Sequence, residues 1–246
     1  MKTIGLLGGM SWESTVSYYR ILNETVKIRL GGLHSAKICL YSVEFGEIEA
    51  LMRENRWDDI ASAIVSAARR VEAGGADFLL ICTNTIHKVF PQVEAALSIP
   101  VLHIADAAAD RLAMDGIRRA GLLGTRITMQ ADFIKGRISG RHGVEVMVPD
   151  PEQQITIDTI IFEELCRGII QEESRRKYIE VIDSLAERGA EAVVLGCTEI
   201  ELLVRQADTS VPLYDTTATH AEKAAEIAMG DGEAARWIPT GRGRDR

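Results

Sequence analysis

The chain has 246 residues, 46% hydrophobic and 26% charged, with 28 Lys and Arg against 36 Asp and Glu for a formal net charge of -8. This is the composition of an ordinary water-soluble globular protein, and the length alone leaves one large domain or two smaller ones open. The acidic balance argues against a nucleic-acid partner, which needs a basic face, and no apolar run reaches the ~18 residues of a membrane helix.

The opening MKTIGLLGGMSWE has a lysine and an apolar stretch too short for a signal peptide, with no small-residue cleavage pattern behind it. The chain is therefore expected to stay in the cytoplasm. Short apolar runs then recur to the end: KTIGLLGG, SAKICLYSVE, ADFLLICTN and PVLHI, followed by AGLLGT, VEVMVP, AEAVVLGCT and VPLYD. Between them lie helical patterns such as 57–74 and 173–188, with apolar residues recurring at three and four. Strands alternating with helices predict an α/β fold, a parallel sheet covered on both faces. The cysteines, Cys39, Cys82, Cys166 and Cys197, form no C-x-x-C, which suggests neither a zinc site nor a disulfide framework. The terminal GRGRDR reads as a frayed, solvated end.

The second half echoes the first. IGLLGG (4–9) matches AGLLGT (120–125) at an offset of 116, VEAGGADFLLICTNTI (71–86) matches LAERGAEAVVLGCTEI (185–200) at 114, and SIPVLHIADA (98–107) matches SVPLYDTTAT (210–219) at 112. Three ordered matches at nearly equal offsets predict two similar doubly wound halves related by pseudo-twofold symmetry. The expected bounds are 1–115, with 209–230 packing back on it, then 116–208, and 231–246 as a flexible tail. Ligands of such sheets bind beyond the carboxyl ends of the strands.

At the 114 offset Cys82 falls on Gly196, Thr83 on Cys197, Asn84 on Thr198 and Thr85 on Glu199. Cys197 thus emerges at a strand end, and its counterpart is Thr83, not Cys82. Two such positions suit proton transfer at a carbon, with one group on each face of the substrate. A thiolate is an effective base, and its pKa falls beside the N–H groups of a helix N-terminus. Thr198 fits the N-cap of such a helix, and Gly196 allows close backbone approach. The competing reading is one more buried strand cysteine.

With IGLLGGMSWEST at the start, TNTIH at 83–87, LLGT at 122–125 and GCTE at 196–199, the chain resembles the aspartate/glutamate racemases, nearest the broad-specificity or aspartate/glutamate branch in bacteria. The resemblance implies two flavodoxin-like halves with the active site between them, often as dimers, and amino-acid racemisation without a cofactor or metal. By it Cys197 is one catalytic group, Asn84, Thr85, Thr198 and Glu199 line the substrate, and Met10 and Thr125 flank the cleft. The family's first motif normally begins with cysteine, and here it begins with Thr83. A hydroxyl is a poor base near neutral pH but a conceivable proton donor. The expected enzyme therefore works between Cys197 and Thr83, biased in direction or modest in rate.

Arg53 is the candidate cation for an acidic substrate, as against a solvated helix face, and Glu163 or Glu164 is a candidate to reach the cleft. GLLGG is not a G-x-G-x-x-G phosphate loop. The five histidines show no ligand spacing, and His87 and His103 read as supporting or core hydrogen-bonding residues. Trp12 and Trp57 read as packing residues. Two other functions compete with the racemase. One is a one-thiol isomerase or decarboxylase of a small dicarboxylate, and the other is a non-catalytic binder of an acidic amino acid.

Overall fold

A computed structural model of the protein describes residues 1–230. The tail expected at 231–246 lies outside the described residues. Each of the eight apolar runs forms a strand: β1 (Ile4–Gly8), β2 (Ile38–Ser42), β3 (Phe78–Ile81), β4 (Val101–Leu102), β5 (Arg119–Gly124), β6 (Glu145–Met147), β7 (Ala192–Gly196) and β8 (Leu213–Asp215). They are interleaved with eleven α-helices: α1 (Trp12–Leu30), α2 (Phe45–Arg53), α3 (Trp57–Ala73), α4 (Phe90–Ala96), α5 (Ile104–Met114), α6 (Arg126–Gln130), α7 (Asp132–His142), α8 (Pro151–Glu163), α9 (Glu172–Glu187), α10 (Ile200–Leu203) and α11 (Thr216–Met229). The helical patterns at 57–74 and 173–188 correspond to α3 and α9.

The strands make two four-stranded sheets, β2-β1-β3-β4 and β6-β5-β7-β8, parallel throughout. The two orders are the same, and so is the register. Leu7 pairs with Ile81 as Leu123 pairs with Leu195, and Leu79 pairs with Val101 as Val193 pairs with Leu213. These pairs reproduce the offsets of 116, 114 and 112, so backbone hydrogen bonding carries the same duplication as the sequence. A one-residue slip would turn every side chain to the other face of its sheet. Cys82 therefore follows Ile81 as Gly196 follows Leu195.

The protein divides into two units. The first comprises Met1–Cys82, Lys88–His103 and, among the described residues, 220–230. Its core sets Ile4, Leu6, Phe78 and Leu80 of the sheet against Tyr18, Leu22 and Val26 of α1 and Ala221, Ala224 and Ala225 of α11. His220 fastens α11 there, since Nε2 lies 3.0 Å from the carbonyl of Leu102 and Nδ1 lies 2.8 Å from the hydroxyl of Tyr18. The carbonyl can only accept, so the proton is on Nε2 and Nδ1 takes the Tyr18 hydroxyl proton. Trp12, expected to pack, is instead 65% exposed and forms a stripe with Val16 and Tyr19 along α1.

The second unit comprises Thr83–His87 and Ile104–Thr219. The bounds of 115 and 209 read from the repeat are displaced for a physical reason. Helix α5 buries Ile104, Ala105, Ala109 and Leu112 against Leu122, Val194 and α7, so it covers the second sheet, and β8 pairs with β7. Only from His220 does the chain join the first unit.

Candidate active site

Seven of the residues singled out by sequence belong to the second unit: Thr125 just beyond β5, Cys197, Thr198 and Glu199 just beyond β7, and the segment Thr83–Thr85. Strand β7 ends at Gly196, and Cys197 follows it, 8% exposed. A Cβ at Gly196 would sit 2.8 Å from the carbonyl oxygen of Leu123 in the paired strand and 2.8 Å from Leu122 Cδ1. The first contact is with backbone and cannot be relieved by a rotamer change, so the thiol's neighbour must be glycine. Gly196→Ala is expected to destabilise the protein by about 1–3 kcal/mol through overpacking and to slow turnover by displacing Cys197. Denaturant unfolding and a rate assay on one preparation check both.

The cysteine is held by acid, and the structure corrects two expectations here. Its Sγ lies 3.0 Å from Glu199 Oε2, and Thr198 Oγ1 donates to the same oxygen at 2.8 Å. Thr198 is not the N-cap: that place is Glu199, and α10 has only four residues, Ile200–Leu203. The Glu199 N–H at that N-cap favours the thiolate, but it is the smallest of the influences on the thiol. Burial and the neighbouring Glu199 carboxylate push its pKa well up, with Cys166 adding in the same direction. The resting group is a thiol donating to a carboxylate.

On the other side of the duplication, Cys82 is fully buried in the first unit's core, and burial pushes its thiol up as well. Thr83, the next residue, is 8% exposed. Asn84, 2% exposed, donates from Nδ2 to Thr216 Oγ1 at 3.0 Å, and Thr216 Oγ1 donates to the carbonyl of Leu195 at 2.8 Å. A hydroxyl has one proton, and Thr216 gives it to a carbonyl that only accepts. Asn84 must then turn its NH2 to Thr216, which leaves Oδ1 buried and without a hydrogen-bond partner. Thr217 Oγ1 is in the same condition. Buried polar atoms are rarely left unmatched unless a ligand meets them.

Thr85, Thr125 and Thr128 form a ring of hydroxyls with oxygens 3.1, 3.1 and 3.4 Å apart. Thr125 caps α6 and also accepts from the Thr128 N–H at 3.3 Å. Hydroxyl protons rotate, so the ring can aim donors at an arriving carboxylate. Thr128 and Thr216 were missed by sequence reasoning. Thr128 stands three residues beyond Thr125, the spacing of an N-cap and the N–H it receives. Thr216 lies in TTAT, the last segment of the repeat. Asp215 was also missed: it accepts from the N–H groups of Thr217 and Ala218 at 2.8 and 3.2 Å, and burial with Glu201 beside it raises its pKa to about 8.

Other candidates stand elsewhere. Met10 belongs to the first unit, where it is buried just after β1 and Gly9. Arg53 closes α2 in the same unit, its side chain 75% exposed and paired with Glu49. Glu163 pairs with Arg167 at 2.6 Å on an exposed face, and Glu164 accepts from Ser174 Oγ at 2.6 Å. Neither glutamate is tied to Cys197 by these bonds. His103 packs against Phe90 with ring centroids 4.5 Å apart. Trp57 donates its indole N–H to Asn55 at 2.7 Å, with Lys88 Nζ 3.8 Å from its ring.

The sequence pattern of the Asp/Glu/hydantoin racemase family matches residues 7–224. The chain belongs to that family. Its enzyme class, amino-acid racemase among the isomerases, goes with that membership. A Yersinia pestis protein described as an Asp/Glu racemase is 51% identical, with a TM-score of 0.87 over 93% of this chain and 100% of that one. An aspartate racemase homologue from Pyrococcus horikoshii is 33% identical, with a TM-score of 0.80 over 93% and 100%. The broad-specificity amino-acid racemase RacX of Bacillus subtilis is 26% identical over 165 residues, which is 65% of this chain and 69% of that protein. No helix among the described residues is long and apolar enough to cross a membrane.

Proposed function

We propose that the protein racemises an acidic amino acid, aspartate or glutamate, without a cofactor, by removing the Cα proton on one face and returning a proton on the other. The observation that carries the proposal is the placement of Cys197 and Thr83 at equivalent strand ends of a duplicated fold, with Cys197 hydrogen-bonded to Glu199. Cys197 loses its proton to Glu199 and becomes the base toward one enantiomer. Thr83 supplies a proton to the opposite face, and exchange with water then returns the proton held by Glu199 to the Thr83 oxygen. In the reverse direction Thr83 is the base, and because the two enantiomers have equal free energies its weakly acidic hydroxyl lowers kcat/KM equally both ways. Asn84 Oδ1, buried and unmatched, supports recognition of the substrate ammonium, and a carboxylate has lone pairs enough for Glu199 to share in it. Thr85, Thr125 and Thr198 are proposed to hold the α-carboxylate. Met10 and Arg53 are proposed as the remaining substrate contacts, Arg53 meeting the side-chain carboxylate after release from Glu49.

The proposal includes a cytoplasmic homodimer. The uncharged stripe Trp12, Val16 and Tyr19 supports self-association, since stable contacts bury apolar cores.

Chiral chromatography after incubation with each enantiomer of aspartate and glutamate tests the function. Inversion of at least one amino acid is expected, with equal kcat/KM from its two enantiomers and faster Cα exchange from the one that faces Cys197. Release of CO2 without inversion would instead select the one-thiol decarboxylase that Thr83 leaves open. Inertness toward all four would sink the substrate class.

A further inference from the structure

We infer that His87 is a positioning residue for proton transfer on the Thr83 face: its neutral ring, protonated on Nδ1, clamps the backbone of Thr83 to the start of helix α5. This rests on the racemase proposed above. Ile104 is the first residue of α5, and its N–H, which has no partner within the helix, donates to His87 Nε2 at 3.2 Å. A backbone N–H cannot accept, so Nε2 carries no proton. The other nitrogen, Nδ1, must carry it, and lies 2.7 Å from the carbonyl oxygen of Thr83. The main chain closes the same turn, because the N–H of His87 donates to the carbonyl of Asn84 at 3.0 Å. The ring is fully buried, and burial, with Arg137 adding, lowers its pKa to about 3. Arg137 is itself bound through two 2.7 Å bonds to Asp106, in the first turn of α5.

The duplication repeats the device with different chemistry. The counterpart of His87 at the 114 offset is Glu201, which shares a hydrogen bond with Asp215, and Asp215 caps the start of α11. In each half the residue four beyond the strand-end reactive position ties that turn to the start of the helix that follows the sheet's last strand. This makes the clamp a part of the site's construction and sets it apart from His220, which is protonated on the other nitrogen and packs α11 in the first unit.

The test separates the two faces. In deuterated water, the enantiomer whose Cα–H faces Cys197 either regains deuterium from Cys197 with retention or receives it from the Thr83 face with inversion. His87→Asn places an amide N–H near the Nδ1 position and keeps the donor to Thr83, whereas His87→Gln reaches Ile104 and loses that donor. Small misplacements of a reacting group cost up to about a hundredfold, so His87→Gln is expected to lower the inversion-to-retention ratio by about ten- to a hundredfold with total exchange little changed. His87→Asn is expected to restore most of the ratio. Equal ratios in wild type and His87→Gln overturn the inference, as does a parallel fall of both arms in both variants, which marks a general loss of structure. Absence of exchange in wild type overturns the racemase reading beneath it. Nitrogen NMR, with the His87 signals assigned by their loss in His87→Gln, is expected to show that ring held as the Nδ1–H tautomer through mildly acidic pH, and an Nε2–H or titrating His87 contradicts the clamp.

Discussion

Cys197→Ala is expected to abolish racemisation from either enantiomer while leaving the fold intact. The residue packs at the margin of a core that includes Leu195, Ile200 and Leu203, so removing one sulfur leaves the surrounding side chains in place. Its chemical loss is much larger. A positioned acid or base contributes roughly 10²–10⁴-fold, and Cys197 serves in both directions, as base in one and as acid in the other. The resting state suits this double use. Burial and Glu199 favour the protonated thiol, which is the form an acid needs, and the carboxylate at 3.0 Å is the acceptor that frees the base. Cys197→Ser keeps the hydrogen bond but gives a site with two hydroxyls, and it is expected to be nearly as slow. Chiral chromatography at matched protein concentration, with a denaturation curve for each variant, separates lost chemistry from lost structure. Activity of Cys197→Ala close to wild type would remove this residue from the mechanism.

The second large effect belongs to Thr83, and it has a sign. Replacing it with cysteine puts a far more acidic group at the position equivalent to Cys197. Inversion, in which residue 83 abstracts in one direction and donates in the other, is expected to gain about one to three orders of magnitude in kcat/KM, within the range of general acid–base catalysis. The same factor is expected in both directions, because the two enantiomers have equal free energies and share one transition state. Thr83→Val is nearly isosteric and lacks the hydroxyl, so it is expected to lose inversion while Cα exchange through Cys197 persists. The comparison is simple: the two initial rates, one from each enantiomer, are measured for wild type, cysteine and valine. A cysteine variant with both rates unchanged would mean that residue 83 does not touch the reacting carbon.

Much of this was legible in the sequence because the relevant physics is local or periodic. Buried parallel strands read as continuous apolar runs, and all eight were visible as such. The duplication also separated Cys82 from Thr83, because the offsets of 116 and 114 carry the β1–β3 register onto the β5–β7 register. What escaped depended on tertiary choices. Whether α5 covers the first or the second sheet is decided by which face receives Ile104 and Leu112, and chain order does not encode it. The hydrogen bond from Cys197 to Glu199 required a side-chain direction, and the helix expected to acidify the thiol proved to be a single turn. Trp12 looked like core by residue type yet stands on the outer side of α1. Arg53 sat correctly at a helix end, but its partner, Glu49, is one turn back on the same helix.

The claim at the centre is that Cys197 and residue 83 act on opposite faces of one carbon. The most direct measurement is Cα deuteration and configuration followed together, by proton NMR and chiral chromatography, for each enantiomer of aspartate and glutamate in deuterated water. The account predicts that the enantiomer addressed by Cys197 exchanges faster than it inverts, because deuterium returns from the thiol more readily than from a threonine hydroxyl. It predicts that Cys197→Ala does neither. Exchange that always matches inversion one for one, or exchange that survives in Cys197→Ala, would contradict it.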